Sequence, residues 1–492
     1  MTTTSTPPET TLEYEPVIGL EVHAQLQTRS KMFCPCSTDY ADAPPNTHVC
    51  AICLGSPGVM PTINEAAVRD TVKTALALHC RIPAFSKFDR KNYAYPDLVK
   101  GYQISQYDMP LSEDGYLDVD LDGETHRVGI VRVHLEEDTA KLVHREEGGE
   151  SYSLMDVNRS GIPLMEIVSA PEIYSPDEAR AYFQALRQVL QYLGVNDGDM
   201  EHGSLRCDAN ISLRPKGSTG LGVKTEIKNM NSFRSVRDAM AYEIVRQSAV
   251  LREGGVVVQE TRGWDDVRGV TVGQRSKEFA HDYRYFPEPD LPPLELSAAY
   301  VDEVRAALPE LAPARRARFV ADLGLPPADA ALLTEARSLA DFFEQAVAAA
   351  PSGAARDVAN RLLSDVGGIL NARGLTLETS KLTPANLGAL TGLMKDGALN
   401  SKSAREVLEE TLTTGMAPAA IVAARGLSRI ADPAALEPVV RRVVEGNAKA
   451  AADYRAGKTA ALQALFGKVM GETRGQADLA VARALLEKLL SE

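Results

Sequence analysis

No stretch of the 492-residue chain approaches the roughly 18–20 consecutive apolar residues of a membrane-spanning helix, which excludes that class. The opening MTTTSTPPETTLEYE lacks the basic and apolar regions of a signal peptide. Residues 1–14 are therefore expected to form a disordered lead, and the chain to be cytoplasmic. An excess of positive charge is also missing. At a formal charge of −14 the protein does not coat nucleic acid non-specifically, which leaves room only for a local basic face. Neither G-x-S-x-G nor H-E-x-x-H occurs, so the common serine-nucleophile and zinc-protease signatures are absent. Repeats of 20–50 residues are absent too, which argues against a solenoid.

What is present is a soluble globular composition, 44% hydrophobic and 24% charged, long enough for about three domains. Residues 15–297 alternate short β-patterned runs with turns. After the proline-rich YFPEPDLPPLEL (285–296), Ala, Leu, Arg and Glu dominate at helical spacing, as in ALEPVVRRVVEG. The expected fold class is α+β. A cradle on an antiparallel sheet spans 15–297, a helical domain 298–412 and a small helical tail 413–492, with the last break near LTTGMAP (412–418).

Several cradle strands carry chemistry on one face. In GLEVHAQL, Leu20, Val22 and Ala24 alternate with Glu21 and His23. GIVRVHLEED sets Val131, Val133 and Leu135 against Arg132, His134 and Glu136. SLRCDANISLR sets Cys207, Ala209 and Ile211 against Arg206, Asp208 and Asn210, and GVKTEIKN sets Val223, Thr225 and Ile227 against Lys224, Glu226 and Lys228. This describes a sheet with one face on a core and one open, charged face. Glu21, His23, Glu136 and Glu166 form a donor set suited to a hard, oxygen-preferring cation; spacing alone equally allows a solvated acid cluster.

Four of the six cysteines follow a different pattern. Cys34 and Cys36, then Cys50 and Cys53, form C-x-C, thirteen residues, C-x2-C. Paired thiols in a reducing compartment suit a closed, structural zinc site, and His48 inside the loop is not needed to complete its shell. Cys80 and Cys207 are isolated and expected to be buried.

Gly457-Lys458-Thr459 is a false trail to a phosphate loop. The first glycine of G-x4-G-K-T is Ala452 here, and helical sequence lies on both sides. Between Asn447 and Gly475, Lys449, Arg455, Lys458, Lys468 and Arg474 outnumber Asp453 and Glu472. That stretch suits either phosphate-backbone contacts or a solvated helix face.

Six segments, VIGLEVHAQL, SKFDRKNYAYPDLVKGYQISQYD, HLEEDTAK, DVNRSGIPLMEIVS, EHGSLRCDANISLR and HDYRYFPEPDLPPL, closely resemble the B-subunit family of the tRNA-dependent amidotransferases, the GatCAB complexes. The resemblance runs from about residue 16 to the C terminus. It implies an ATP- and Mg²⁺-dependent phosphorylation of the side-chain carboxylate of glutamate or aspartate misacylated on a glutamine or asparagine tRNA. Ammonia from a partner A subunit, arriving through an internal channel, then displaces the phosphate; a small C subunit completes the heterotrimer. The resemblance makes Glu21, His23, Glu136 and Glu166 the Mg²⁺ site and supports Asp208 as a further acid. Lys91, Tyr95 and Lys100 become nucleotide or phosphate candidates, although RKNYAYPDLVKG also reads as a structural loop. The four cysteines are dispensable to the family's chemistry but all present here, and the basic stretch becomes a tRNA-contacting tail. Two other classes compete: a non-catalytic tRNA-binding scaffold of the same complex, and an independent zinc hydrolase, against which the filled cysteine shell counts.

Overall fold

Alternation along Tyr14–Gln25 becomes the middle of a sheet because every second side chain from Ile18 to Ala24 is fully buried. The computed structural model describes residues 13–276, 283–473 and 475–491. The chain divides into two compact units, one ending at Leu311 and one beginning at Ala312.

The first unit is built on eight strands: β1 (Tyr14–Gln25), β2 (Ser112–Leu121), β3 (Glu124–Glu137), β4 (Pro163–Ser169), β5 (Leu205–Pro215), β6 (Thr225–Lys228), β7 (Glu260–Asp265) and β8 (Val270–Ser276). Their order across the sheet is β8-β7-β6-β5-β1-β4-β3-β2. Neighbours run antiparallel except β6 and β7, which are parallel, so the sheet is mixed. Tyr14 pairs with Pro215, so residue 14 belongs to the sheet, while residues 1–12, expected as a disordered lead, lie outside the described residues.

One face of the sheet shares a core with three helices. Helix α1 (Glu65–Ala77) contributes Ala67 and Val72, α2 (Pro176–Leu193) contributes Tyr182, Phe183, Leu186 and Leu190, and α3 (Phe233–Arg252) contributes Val236, Ala239 and Met240. Helix α2 starts cleanly because Ser175 accepts from the Glu178 amide while the Glu178 carboxylate accepts from the Tyr174 amide at 2.7 Å. Gly194, at φ 68°, stops it. Helix α4 (Ala298–Ala306) sends Val301 and Val304 into the same core, so it belongs with the sheet, not with the helices that follow.

One alternation breaks. Ile130 and Val128 are buried, but Val131 is 48% exposed, because a bulge between Ile130 and Arg132 inserts one residue against β4. The apolar face of β3 is thus Val128, Ile130, Val133 and Leu135, and Val131 is not part of it.

The second unit is helical and has two cores. One runs from Phe319 to Val422, the other from Leu436 to Leu490. Ile421 and Val422 pack in the earlier core, which places the division between Leu427 and Ile430 and not at residue 413. Among the described residues no helix is long and apolar enough to cross a membrane.

Gly115 on β2 is a packing constraint on the sheet. A Cβ there would lie 2.3 Å from Cys80 Sγ and 2.5 Å from the Leu78 carbonyl oxygen, where main chain must move. Gly115→Ala is expected to destabilise the protein by about 1–3 kcal/mol, as read by urea unfolding; an unchanged midpoint would contradict this packing.

Candidate active site and metal centre

The polar floor of the site is assembled across strands. The register sets His23 on β1 opposite Glu166 on β4, and Glu166 opposite His134 on β3. His23 Nε2 lies 3.5 Å from Glu166 Oε2 and 3.9 Å from Glu136 Oε1. His134 Nε2 lies 3.2 Å from Glu166 Oε2 and 3.7 Å from Glu136 Oε2. Two carboxylates therefore stand between two imidazoles, and Ser105 Oγ donates to Glu136 Oε2 at 3.0 Å.

Burial disfavours charge on these groups, but their mutual attraction outweighs it. Burial pulls His23 down, while Glu166 and Glu136 lift it to about 9. Burial likewise opposes the charge on His134, which the same carboxylates raise. Against its own burial, Glu166 is held well below the usual carboxylate range by His134 and His23. Lys91, on the short strand Asp89–Asn92, is raised by Glu136, Tyr285 and Glu166 in spite of burial. Its ammonium lies 5.0 Å from the centre of the Tyr283 ring.

All these groups line one cavity of about 740 Å³, within the range of nucleotide-sized ligand sites. Along the floor, Glu21 is opposite Asp208. Glu21 Oε1 accepts from Asn210 Nδ2 at 2.7 Å, and Lys228 Nζ bonds Asp208 Oδ2 at 2.6 Å.

Of the four residues read as cation holders, His23, Glu136 and Glu166 bring donor atoms within 4.8 Å of one another. Glu21 stands one row along, with Asp208, in the same cavity. Lys91 lines the cavity; Tyr95 and Lys100 do not. Tyr95 is 49% exposed, and Lys100 bonds the Glu137 carboxylate on the reverse side of β3. His134 is the residue that sequence reasoning passed over. Alternation put it on the polar face, but nothing local distinguished it from a solvated histidine, whereas it is 2% exposed.

The cysteines form a separate centre in the loop after β1. Their sulfur atoms lie within 4.8 Å of one another, and Cys50 and Cys53 are 3.9 Å apart. A tetrahedral zinc with Zn–S of ~2.3 Å has S···S edges of ~3.8 Å, so the four residues fit that ion. A hydrogen bond from Cys34 lowers Cys53 to about 5, against the opposing effect of burial.

In the second unit, Gly457-Lys458-Thr459 lies between helices Ala448–Arg455 and Ala460–Glu472, with no strand before it. Lys449 and Lys468 are exposed. Arg455 is engaged: its Nε donates to the Leu490 carbonyl at 3.0 Å, closing the C-terminal end of the last helix. Lys458 pairs with Asp453 at 2.9 Å. Arg474 lies outside the described residues.

The sequence that builds this sheet and the helices after it matches a described family. Residues 16–302 match the family model of the GatB/GatE catalytic domain, and residues 341–490 that of the GatB domain. The B subunit of the aspartyl/glutamyl-tRNA(Asn/Gln) amidotransferase of Thermomicrobium roseum is 56% identical, covering 98% of this chain and 99% of its own length. Those of Moorella thermoacetica and Brevibacillus brevis are 53% and 49% identical, each over 97% of this chain and nearly all of their own. The chain belongs to the family of these amidotransferase B subunits.

A ligating imidazole must be neutral, and in the metal-free site His23 carries a proton up to about pH 9. Binding of a divalent cation should therefore release a proton. Affinity should rise about tenfold per pH unit from 6.5 to 8.5 and level off above 9. Calorimetric titrations in buffers of different ionisation enthalpy check this, and a flat profile would place His23 outside the metal shell.

Proposed function

We propose that this chain is the activating subunit of a glutamine-dependent, tRNA-dependent amidotransferase. In this reading it transfers the γ-phosphoryl group of ATP to the side-chain carboxylate of glutamate misacylated on tRNA(Gln), or of aspartate on tRNA(Asn). An acyl phosphate and ADP result. Ammonia then attacks the acyl carbon, phosphate leaves, and the amide of Gln-tRNA(Gln) or Asn-tRNA(Asn) forms. The ammonia is generated by an A subunit and reaches the site through a channel, and a small C subunit completes the assembly.

The observation that carries the reading is the group of His23, Glu136 and Glu166 on the floor of a nucleotide-sized cavity with Lys91 beside them. Two carboxylates and one imidazole fit a hard divalent cation with positions left for water or phosphate oxygens. Mg²⁺ bound there would supply charge neutralisation for the phosphates. The chain's own groups do the rest. Lys91 presents fixed positive charge toward phosphoryl oxygens. His134 and Ser105 hold Glu166 and Glu136 in place, as Asn210 holds Glu21. Glu21 and Asp208, anchored by Lys228, are further acids for ligand contact along the same floor. A carboxylate is a poor acyl donor, and phosphoryl transfer needs alignment and charge neutralisation more than a covalent nucleophile, which suits this cavity.

Glu166→Gln keeps the shape and removes one metal-facing charge. In the purified assembly, ATP hydrolysis stimulated by misacylated tRNA should fall by about a hundredfold or more, with subunit assembly retained. Undiminished ATP consumption would favour the scaffold reading, in which the chain holds tRNA and the chemistry lies elsewhere.

The tail supplies the second half of the reading. Lys449 and Lys468 are exposed cations suited to phosphate contacts, whereas Arg455 and Lys458 already have partners within the tail. Lys449→Glu with Lys468→Glu should weaken tRNA binding and make its salt dependence shallower by about one to two released ions. Filter binding at several salt concentrations measures both, and unchanged affinity and slope would remove these lysines from the interface.

A further inference from the structure

Lys31 is only 1% exposed, and its ammonium group is met by neutral acceptors. Nζ donates to the His48 carbonyl at 2.8 Å and to the Val157 carbonyl at 3.4 Å. Among the described residues no carboxylate lies within ion-pair distance of it. Across Gly161, where an added Cβ would lie 3.9 Å from Glu137 Oε2, the Glu137 carboxylate is already bonded to Lys100. Carbonyls accept from the ammonium but do not neutralise its charge, and a buried charge without a countercharge is strongly disfavoured. The anion must come from elsewhere.

The adjacent candidate is the cysteine cluster. At Gly161, whose φ of +85° suits glycine, an added Cβ would approach both Lys31 Cδ, at 3.4 Å, and Cys53 Cβ, at 3.7 Å. Four thiolates around one divalent ion leave a net charge of two minus, so a metal-loaded cluster supplies the anion that Lys31 lacks. The lysine is also tied to both halves of the cluster. Its own amide donates to the Cys36 carbonyl at 2.9 Å, closing the turn that holds Cys34 and Cys36. Its side chain reaches His48, two residues before Cys50, and Val157 beyond the loop.

We propose that Lys31 is the fixed countercharge and clamp of the four-cysteine centre, positioning the sulfur ligands without binding the metal. This rests on the reading that the cysteines hold zinc. The test uses the full-length chain and its Lys31→Met variant, which keeps the stem and removes the charge. Zinc content is measured first, then the rate of zinc transfer to a chromogenic chelator, then thermal unfolding of zinc-loaded and chelator-stripped protein. Lys31→Met should release zinc at least tenfold faster. It should lower the unfolding temperature of the loaded form while leaving the stripped form unchanged or more stable. Equal release rates, or an equal fall in both forms, would overturn the assignment and leave Lys31 a structural brace. In a chain with all four cysteines changed to serine, Lys31→Met should raise the unfolding temperature, because the orphaned charge is gone. That measurement decides the matter if the single variant does not fold, and a further loss of stability there would refute the proposal. A wild-type chain that retains no zinc would instead remove the metal reading and this one together.

Discussion

The structure around the cavity depends on one register. His23, Glu166 and His134 face one another across three strands that are far apart in the chain, and Glu136 joins them from two residues further along β3. Two buried acids would repel each other and resist ionisation on their own. With imidazoles on either side and Lys91 beside them, they stay charged in a largely enclosed place, ready for a cation. A slip of one residue on any of the three strands would turn a charged group into the apolar core. The core packing of Leu20, Val22, Val133, Leu135 and Ile167 therefore fixes the polar chemistry on the opposite side.

The two metal-type centres differ in how the chain builds them. The cysteine loop is local: four sulfurs within twenty residues, closed by main-chain turns, with one lysine crossing the loop. The floor of the cavity is non-local, with His23 more than a hundred residues before Glu136 and Glu166. The floor forms only once the order of strands is complete. On β3 the two faces stand side by side, since Glu136 faces the cavity while Glu137, its neighbour, bonds Lys100 on the other side.

This difference explains what could be read in advance. The cysteine pairs were legible because their spacing is itself the signal. The polar face was legible from alternation, and Glu21, His23, Glu136, Glu166 and Asp208 do line one cavity. Which of them meet was not legible, because that depends on β4 lying between β1 and β3. His134 looked like any surface histidine, and Glu21 looked closer to His23's partners than it is. The basic tail shows the same limit, for sequence counts charges but does not show that Arg455 spends its guanidinium on the end of a neighbouring helix. Composition marked the change to helices at the proline-rich segment. It could not show that α4 would pack back on the sheet, since the stripe of Val301 and Val304 fits either core.

The bulge at Val131 has a meaning for how this strand can change over time. On one side of it the even-numbered residues, Val128 and Ile130, are buried; on the other the odd-numbered ones, Val133 and Leu135, are. The strand is thus written in two phases joined by a single spare residue. Loss of that residue would leave Val128, Ile130, Val133 and Leu135 at strict two-residue spacing on one face, and Arg132, His134 and Glu136 on the other, paired regularly with β4. The spare residue therefore sets the bend and twist of the strand and not which side chains face the cavity. The chemistry of the floor is insulated from it, and its shape is not.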